Sequence, residues 1–383
     1  VKKLVVPALI ILVLAVLTAC QPTSAAVPPP PSPIPTVTFT PLPPEPTAVP
    51  TSTPILPLNS PNGPPLRSIH MFTLKDGWGL IDDALLVTHD SGVTWASVPL
   101  PGGKVDSSTE AVFLNLNVAY LVVPSPDGQS GQLFITNNGG ANWDLYPVPF
   151  LRGRLVFIGS IGYFLETGGA SGKEVSIYNT SDGINWAKTV AISLPDAKLI
   201  TGFSFNSVER GWLGIASQPQ KVVLYQTNTA AQTWVEQDIP APENIASLTT
   251  SAFPPVFIQG NTANGFLPVD FTSTETGDRN RLFYITTDGG STWTPGGSVP
   301  DGGAYTFANA NTGWAWGKRG LYGTTDGAQT WMLLPGGFNR SEHASWINFI
   351  DAQNGWLITV GQNSRVRLYR TTDGGNTWLV TAP

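Results

Sequence analysis

The chain has 383 residues, a formal net charge of -6, 12% charged residues, 40 glycines, 35 prolines, 13 tryptophans and one cysteine. The mild acidic balance argues against a nucleic-acid binder, which needs a basic face, and one cysteine with three unevenly spaced histidines (His70, His89, His343) supplies neither a disulfide framework nor a zinc-ligand set. Abundant Gly, Thr, Val and Trp without a long run of helix formers predict an all-β fold.

At the start, Lys2 and Lys3 precede a largely apolar stretch, Leu4 to Ala19, and then Cys20. This is the pattern of a secretory signal, too short to span a bilayer comfortably. Leu17-Thr18-Ala19-Cys20 resembles the lipobox of bacterial lipoproteins. The resemblance implies that residues 1–19 are removed and that an acylated Cys20 anchors the protein to the extracytoplasmic face of a bacterial membrane. Each buried lipid methylene there contributes about 0.8 kcal/mol. Residues 20–66 then change composition: from Pro22 to Leu66 there are 17 prolines, many Ser and Thr, and one charge, Glu45. Such a segment cannot bury enough apolar surface to offset its ordering entropy, and it reads as a polyproline II-like tether.

From residue 67 to the end a motif recurs seven times: THDSGVTW (88–95), TNNGGANW (136–143), NTSDGINW (179–186), TNTAAQTW (227–234), TTDGGSTW (286–293), TTDGAQTW (324–331) and TTDGGNTW (371–378). Its tryptophans are Trp95, Trp143, Trp186, Trp234, Trp293, Trp331 and Trp378, on average about 47 residues apart, which is a propeller-blade period. In the last unit 345–349, 356–360, 365–371 and 377–380 read as four short strands, with the motif on the hairpin between the third and fourth. Gly374 and Gly375 suit the positive φ of such a turn. Asp90, Asp288, Asp326 and Asp373 can accept hydrogen bonds from their own turns, a structural task rather than a catalytic one. Asn138 and Ser181 stand where Asp is expected, and Thr229 and Ala231 replace both Asp and Gly in the fourth copy. The expectation is a seven-bladed β-propeller of four-stranded antiparallel blades. If strands run one to four from Arg67, an interleaved closing strand could come only from around 55–58.

These letters resemble Asp-boxes, the bacterial neuraminidase repeats, over essentially all of 67–383. Gly77-Trp78, Gly211-Trp212, Gly313-Trp314 and Gly355-Trp356 fall 17 to 23 residues before a motif Trp. The combined arrangement is similar to the photosystem II assembly and stability factor family and to bacterial exported proteins that share its repeat. That resemblance implies the propeller fold and, more weakly, binding through an arginine patch.

Catalytic signatures are sparse. The segment Pro65-Leu66-Arg67-Ser68-Ile69-His70 lacks the Arg-Ile-Pro of sialidases, leaving Arg67 as a surface strand residue. Xyloglucan-type glycosidases of this fold use paired carboxylates; Asp82 with Asp83, or Asp270, Glu275 and Asp278, could supply them, although solvated loop charges explain them better. Residues 168–174 (GGASGKE) depart from a phosphate loop at Thr167 and Glu174. No cofactor or metal is expected. Ligands should meet the face opposite the motif turns, where Lys318, Arg319, Arg340 and Arg365 form a candidate basic patch for an acidic protein segment or a glycan. The functional expectation is a membrane-tethered binding or assembly scaffold, with a carbohydrate-active enzyme as the alternative.

Overall fold

The computed structural model describes residues 66–383 apart from 126–127, 167–174, 193–199, 217, 244, 339–340 and 383. Cys20, residues 1–65, the 168–174 segment and Arg340 lie outside the described residues.

Seven antiparallel sheets follow one another along the chain as the blades of a propeller: 68–98, 110–148, 153–192, 200–237, 248–300, 305–333 and 343–382. In each, the strands pair in chain order from the inner first strand to the outer fourth. Blade 5 explains the long fifth sequence unit. Its inner strand is split into Leu248–Ala252 and Val256–Ile258, both paired with the long Asn261–Ser273. Pro254 and Pro255 sit at the break, where they have no N–H to give to the ladder. Gln218–Pro219, from blade 4, adds to the same inner strand.

One aromatic arrangement joins six of the seven neighbouring pairs of blades; at the seventh, between blades 7 and 1, Trp356 packs in one core with Met71 instead. The second strand of each blade carries an aromatic residue that meets the inner strand of the next: Trp78 on Phe113, Tyr120 on Phe157, Tyr163 on Phe205, Trp212 on Phe257, Phe266 on Phe307 and Trp314 on Phe349. Ring centroids are 3.4 Å apart for Trp314 and Phe349 and 5.3 Å apart for Trp78 and Phe113. The motif tryptophan of the next blade then closes edge-on: Trp378 lies 6.0 Å from Phe349 at 90°, and Trp234 lies 6.3 Å from Phe205 at 79°. Such offset and edge-on pairs add about 0.5–1.5 kcal/mol each beyond the area they bury. In six blades the residue before the strand-two aromatic is Gly, with the inner-strand Phe of its own blade, or Met71 in blade 1, lying over it; blade 2 has Ala119 there. A Cβ on Gly355 would stand 2.5 Å from Phe349. The Gly-Trp pairs are thus four instances of a sevenfold pattern whose other members are Ala119-Tyr120, Gly162-Tyr163 and Gly265-Phe266.

The ring closes through side chains. Blade 7 is completed by its own strands, 343 to 382, with no strand from elsewhere in its sheet among the described residues. Across the seam Trp356 Nε1 donates to Ser91 O at 2.9 Å, Trp346 Nε1 to Ile69 O at 2.7 Å, and Met71 N to Asn348 Oδ1 at 2.7 Å.

The motif turns share one hydrogen-bond scheme. In the last, Thr371 Oγ1 receives Gly375 N and donates to Asp373 Oδ1, while Asp373 accepts Thr377 N at 2.9 Å and Thr377 Oγ1 at 2.6 Å. Gly374 and Gly375 take φ of 71° and 92°. Asn138 plays the carboxylate's part in the second turn, accepting Asn142 N at 2.9 Å, and Thr229 does so in the fourth, accepting Thr233 N at 2.9 Å. The third turn corrects the alignment of Ser181 with Asp: it is one residue shorter, and Asp182 accepts Ile184 N and Asn185 N at 2.9 and 2.8 Å.

Candidate functional site

Antiparallel blades place all the motif turns and the one-to-two turns on one face of the ring. The opposite face carries the two-to-three turns and the crossings between blades. On that face the inner strands of blades 1 to 4 and 7 open into a cavity of about 590 Å³. Each inner strand begins at its mouth, so residues just before a first strand point into it. Two are arginines, Arg67 and Arg152, and Arg154, the second residue of the blade 3 inner strand, lines the cavity with them. Arg67 is therefore a lining residue and not merely a surface strand residue. Its guanidinium donates to Ser107 O at 2.5 Å and Thr109 O at 2.9 Å, which fixes it at the rim.

Glu110 is the one carboxylate among the residues lining this cavity. Arg154 Nη1 lies 3.3 Å from its Oε2. Burial pushes the Glu110 carboxyl up, against the pull of Arg154. Three guanidinium groups face one carboxylate, and Arg152 has no ion pair among the described residues. The remaining wall is mild: hydroxyls of Ser68, Ser107, Ser108, Thr109 and Thr201, with His70 and Trp346 deeper, their rings 5.2 Å apart. Burial lowers His70 to about 4, so its imidazole is neutral near pH 7. The basin can bind an anion through arginine forks and accept a hydroxyl-rich or aromatic neighbour.

The expected rim patch is placed differently. Lys318 and Arg319 lie exposed on the two-to-three turn of blade 6, lining a separate cavity of about 360 Å³, with Lys318 Nζ 3.9 Å from Asp278 Oδ1. Arg365 lies exposed before the third strand of blade 7 and is not among the residues lining that cavity.

The candidate acids do not converge. Asp270 is buried in a bidentate pair with Arg281, Nε to Oδ1 at 2.7 Å and Nη2 to Oδ2 at 2.9 Å. The Arg281 guanidinium also lies 4.4 Å from the Phe253 ring centre. Asp82 and Asp83 are exposed on the two-to-three turn of blade 1, and Glu275 and Asp278 on that of blade 5.

The basin arginines were missed because Arg67 belongs to blade 1 and Arg152 and Arg154 to blade 3, so nothing in their spacing relates the first to the other two. The available signal was positional: Arg67 and Arg152 both immediately precede an inner strand.

No family model matches the sequence, and no curated protein matches it. The fold is similar to a structure of YCF48 bound to a D1 peptide, at 18% identity over 81% of this chain and 93% of that chain, with a TM-score of 0.54. It is similar to YCF48 from Cyanidioschyzon merolae at 17% identity, over 82% of this chain and 96% of that chain, TM-score 0.52. The GH74 xyloglucanase from Xanthomonas campestris is 12% identical over 84% of this chain and 55% of that chain, TM-score 0.54, so this chain spans about half of that enzyme. At these identities the likeness is one of fold.

Proposed function

We propose that this protein is a membrane-tethered, extracytoplasmic scaffold whose arginine basin holds an acidic segment of a partner protein. The observation that carries the reading is the basin: Arg67, Arg152 and Arg154 against Glu110, at the mouth of a rigid ring. A fixed ring of strands costs little ordering on binding, and three guanidinium groups against one carboxylate leave an excess of positive charge in a concavity that focuses its field on an approaching anion. The fold likeness to YCF48, whose structure carries a D1 peptide, agrees with a peptide partner. The lipobox-like Leu17-Thr18-Ala19-Cys20 is the support for the tether. Glycoside hydrolysis needs two carboxylates about 5 to 9.5 Å apart, and the basin offers Glu110 alone among its lining residues.

The test is capture from membranes of the producing cell, with mass spectrometry, comparing the native protein and an Arg152→Glu/Arg154→Glu variant. The expected result is a partner retained by the first and lost by the second; equal capture by both overturns the reading. Release of sugar from xyloglucan by the native protein would favour the enzyme instead. Incorporation of labelled palmitate by the native chain, and not by Cys20→Ala, tests the tether.

A further inference from the structure

Ten large apolar side chains are exposed among the described residues, and four of them, Met332, Leu333, Leu379 and Val380, belong to the outer strands of blades 6 and 7. Ladder register gives the direction of two. Residues directly opposite in an antiparallel pair share a face of the sheet. Met332 stands opposite Gly323, and Gly323 opposite Trp314, which packs in the core between blades 6 and 7. Val380 stands opposite Tyr369, and Tyr369 opposite Leu357, in that same core. Met332 and Val380, 70% and 57% exposed, therefore border one groove from its two sides. Leu334, Phe338 and Tyr369 pack beneath them.

The end of the groove on the basin face is basic. There the cavity of about 360 Å³ is lined by Trp316, Leu333 and Phe338 with Lys318 and Arg319. Arg319 and Arg365 have no ion pair among the described residues. Glu342, the carboxylate of that cavity, has a 2% exposed side chain and is engaged by Arg367, by Tyr369 Oη at 3.0 Å and by Thr359 Oγ1 at 3.3 Å. It cannot neutralise the lip. Beside the groove, each outer strand of blades 6 and 7 pairs on one edge alone among the described residues.

We propose that the groove between blades 6 and 7 is a second docking site, separate from the basin, for an extended acidic segment of a partner protein. Apolar side chains of that segment seat between Met332 and Val380, and a carboxylate meets Lys318 and Arg319. An extended occupant fits because a sheet edge offers main-chain hydrogen bonds and alternate side-chain pockets.

Fluorescence anisotropy with the full chain and a short labelled peptide alternating leucine and aspartate tests it, beside the leucine and lysine counterpart. The acidic peptide is expected to bind saturably. Met332→Asp/Val380→Asp and Lys318→Glu/Arg319→Glu should each weaken it about tenfold or more, as for anchors at an interface, while Arg152→Glu/Arg154→Glu leaves it unchanged. The substituted side chains are exposed, and unchanged urea midpoints confirm that the variants fold. Equal binding of both peptides, or loss with the basin variant alone, overturns the proposal. So does groove-dependent binding of phosphatidylserine vesicles without peptide binding, which assigns the surface to lipid. Failure of the basin variant to lose its membrane partner would sink the basin reading and leave the groove standing.

Discussion

Residue by residue, the recurring turn is a hydrogen-bond device held in a left-handed backbone. Burial alone would raise the Asp288 carboxyl, but donation from Thr292, Thr286 and Ser291 outweighs it and brings the group down to about 2. A carboxyl near 4 when unfolded and near 2 when folded lends stability that is complete above pH 4 and lost as pH falls toward 2. Asp288→Asn should therefore flatten the acid limb of a urea-midpoint profile, and Asp288→Ala should cost about 1 kcal/mol at pH 7, as removal of a helix cap does. The fourth turn holds Ala230 and Ala231 at φ of 52° and 66°. Ala231 is fully buried in the core, whereas Ala230 is half-buried. Ala230→Gly relieves the strained backbone without opening a core void and is expected to raise stability by about 0.5–1 kcal/mol in denaturant titration. The roles of Asp90, Asp288, Asp326 and Asp373 were legible because each sits at fixed offsets from a Thr and a Trp. Asp182 was not, because a one-residue deletion shifts it out of the aligned column while the local geometry follows the hydrogen bonds.

Among strands and blades, the decisive contacts run between neighbours. Trp314 stacks on Phe349 and sends its indole N–H to Gly374 O at 2.8 Å, so one side chain ties the second strand of blade 6 to the inner strand and turn of blade 7. Trp314→Ala should cost about 3–5 kcal/mol, read from guanidinium unfolding, with loss of near-ultraviolet aromatic dichroism. Gly355→Ala, which drives a methyl group into Phe349, should cost about 1–3 kcal/mol by overpacking. Blade number, strand order and the face opposite the turns could all be read from the motif period. The three further strand-two aromatics could not, since Tyr and Phe perform the same stacking as Trp and a search for one letter pair passes over them. The split inner strand of blade 5 was equally hidden, though Pro254-Pro255 marks the place where pairing must break.

For the whole ring, the basin is a property of assembly. Arg67 lies 85 and 87 residues before Arg152 and Arg154 in sequence, and the three meet because every inner strand starts on the same face. His70, in the wall of that basin beside Phe113 and Trp346, is held neutral by burial. A histidine that ionises near 6.5 unfolded and near 4 folded leaves stability whole above pH 6.5 and lowers it as pH falls toward 4. His70→Asn should reduce the difference in urea midpoint between pH 7.5 and pH 5. The seam between blades 7 and 1 is stitched by the Trp356, Trp346 and Met71 bonds, with no shared strand among the described residues. It differs from the six other junctions in lacking a covalent crossing and in setting Met71, in place of a Phe, in the same core as the strand-two aromatic. The ring therefore has no privileged starting point. Joining 382 to 66 by a short linker and reopening the chain between two other blades should yield a circular permutant with the same dichroism spectrum. A lineage built this way can gain function by duplicating or shuffling whole blades, because a newcomer needs to satisfy just the two aromatic sandwiches on its flanks.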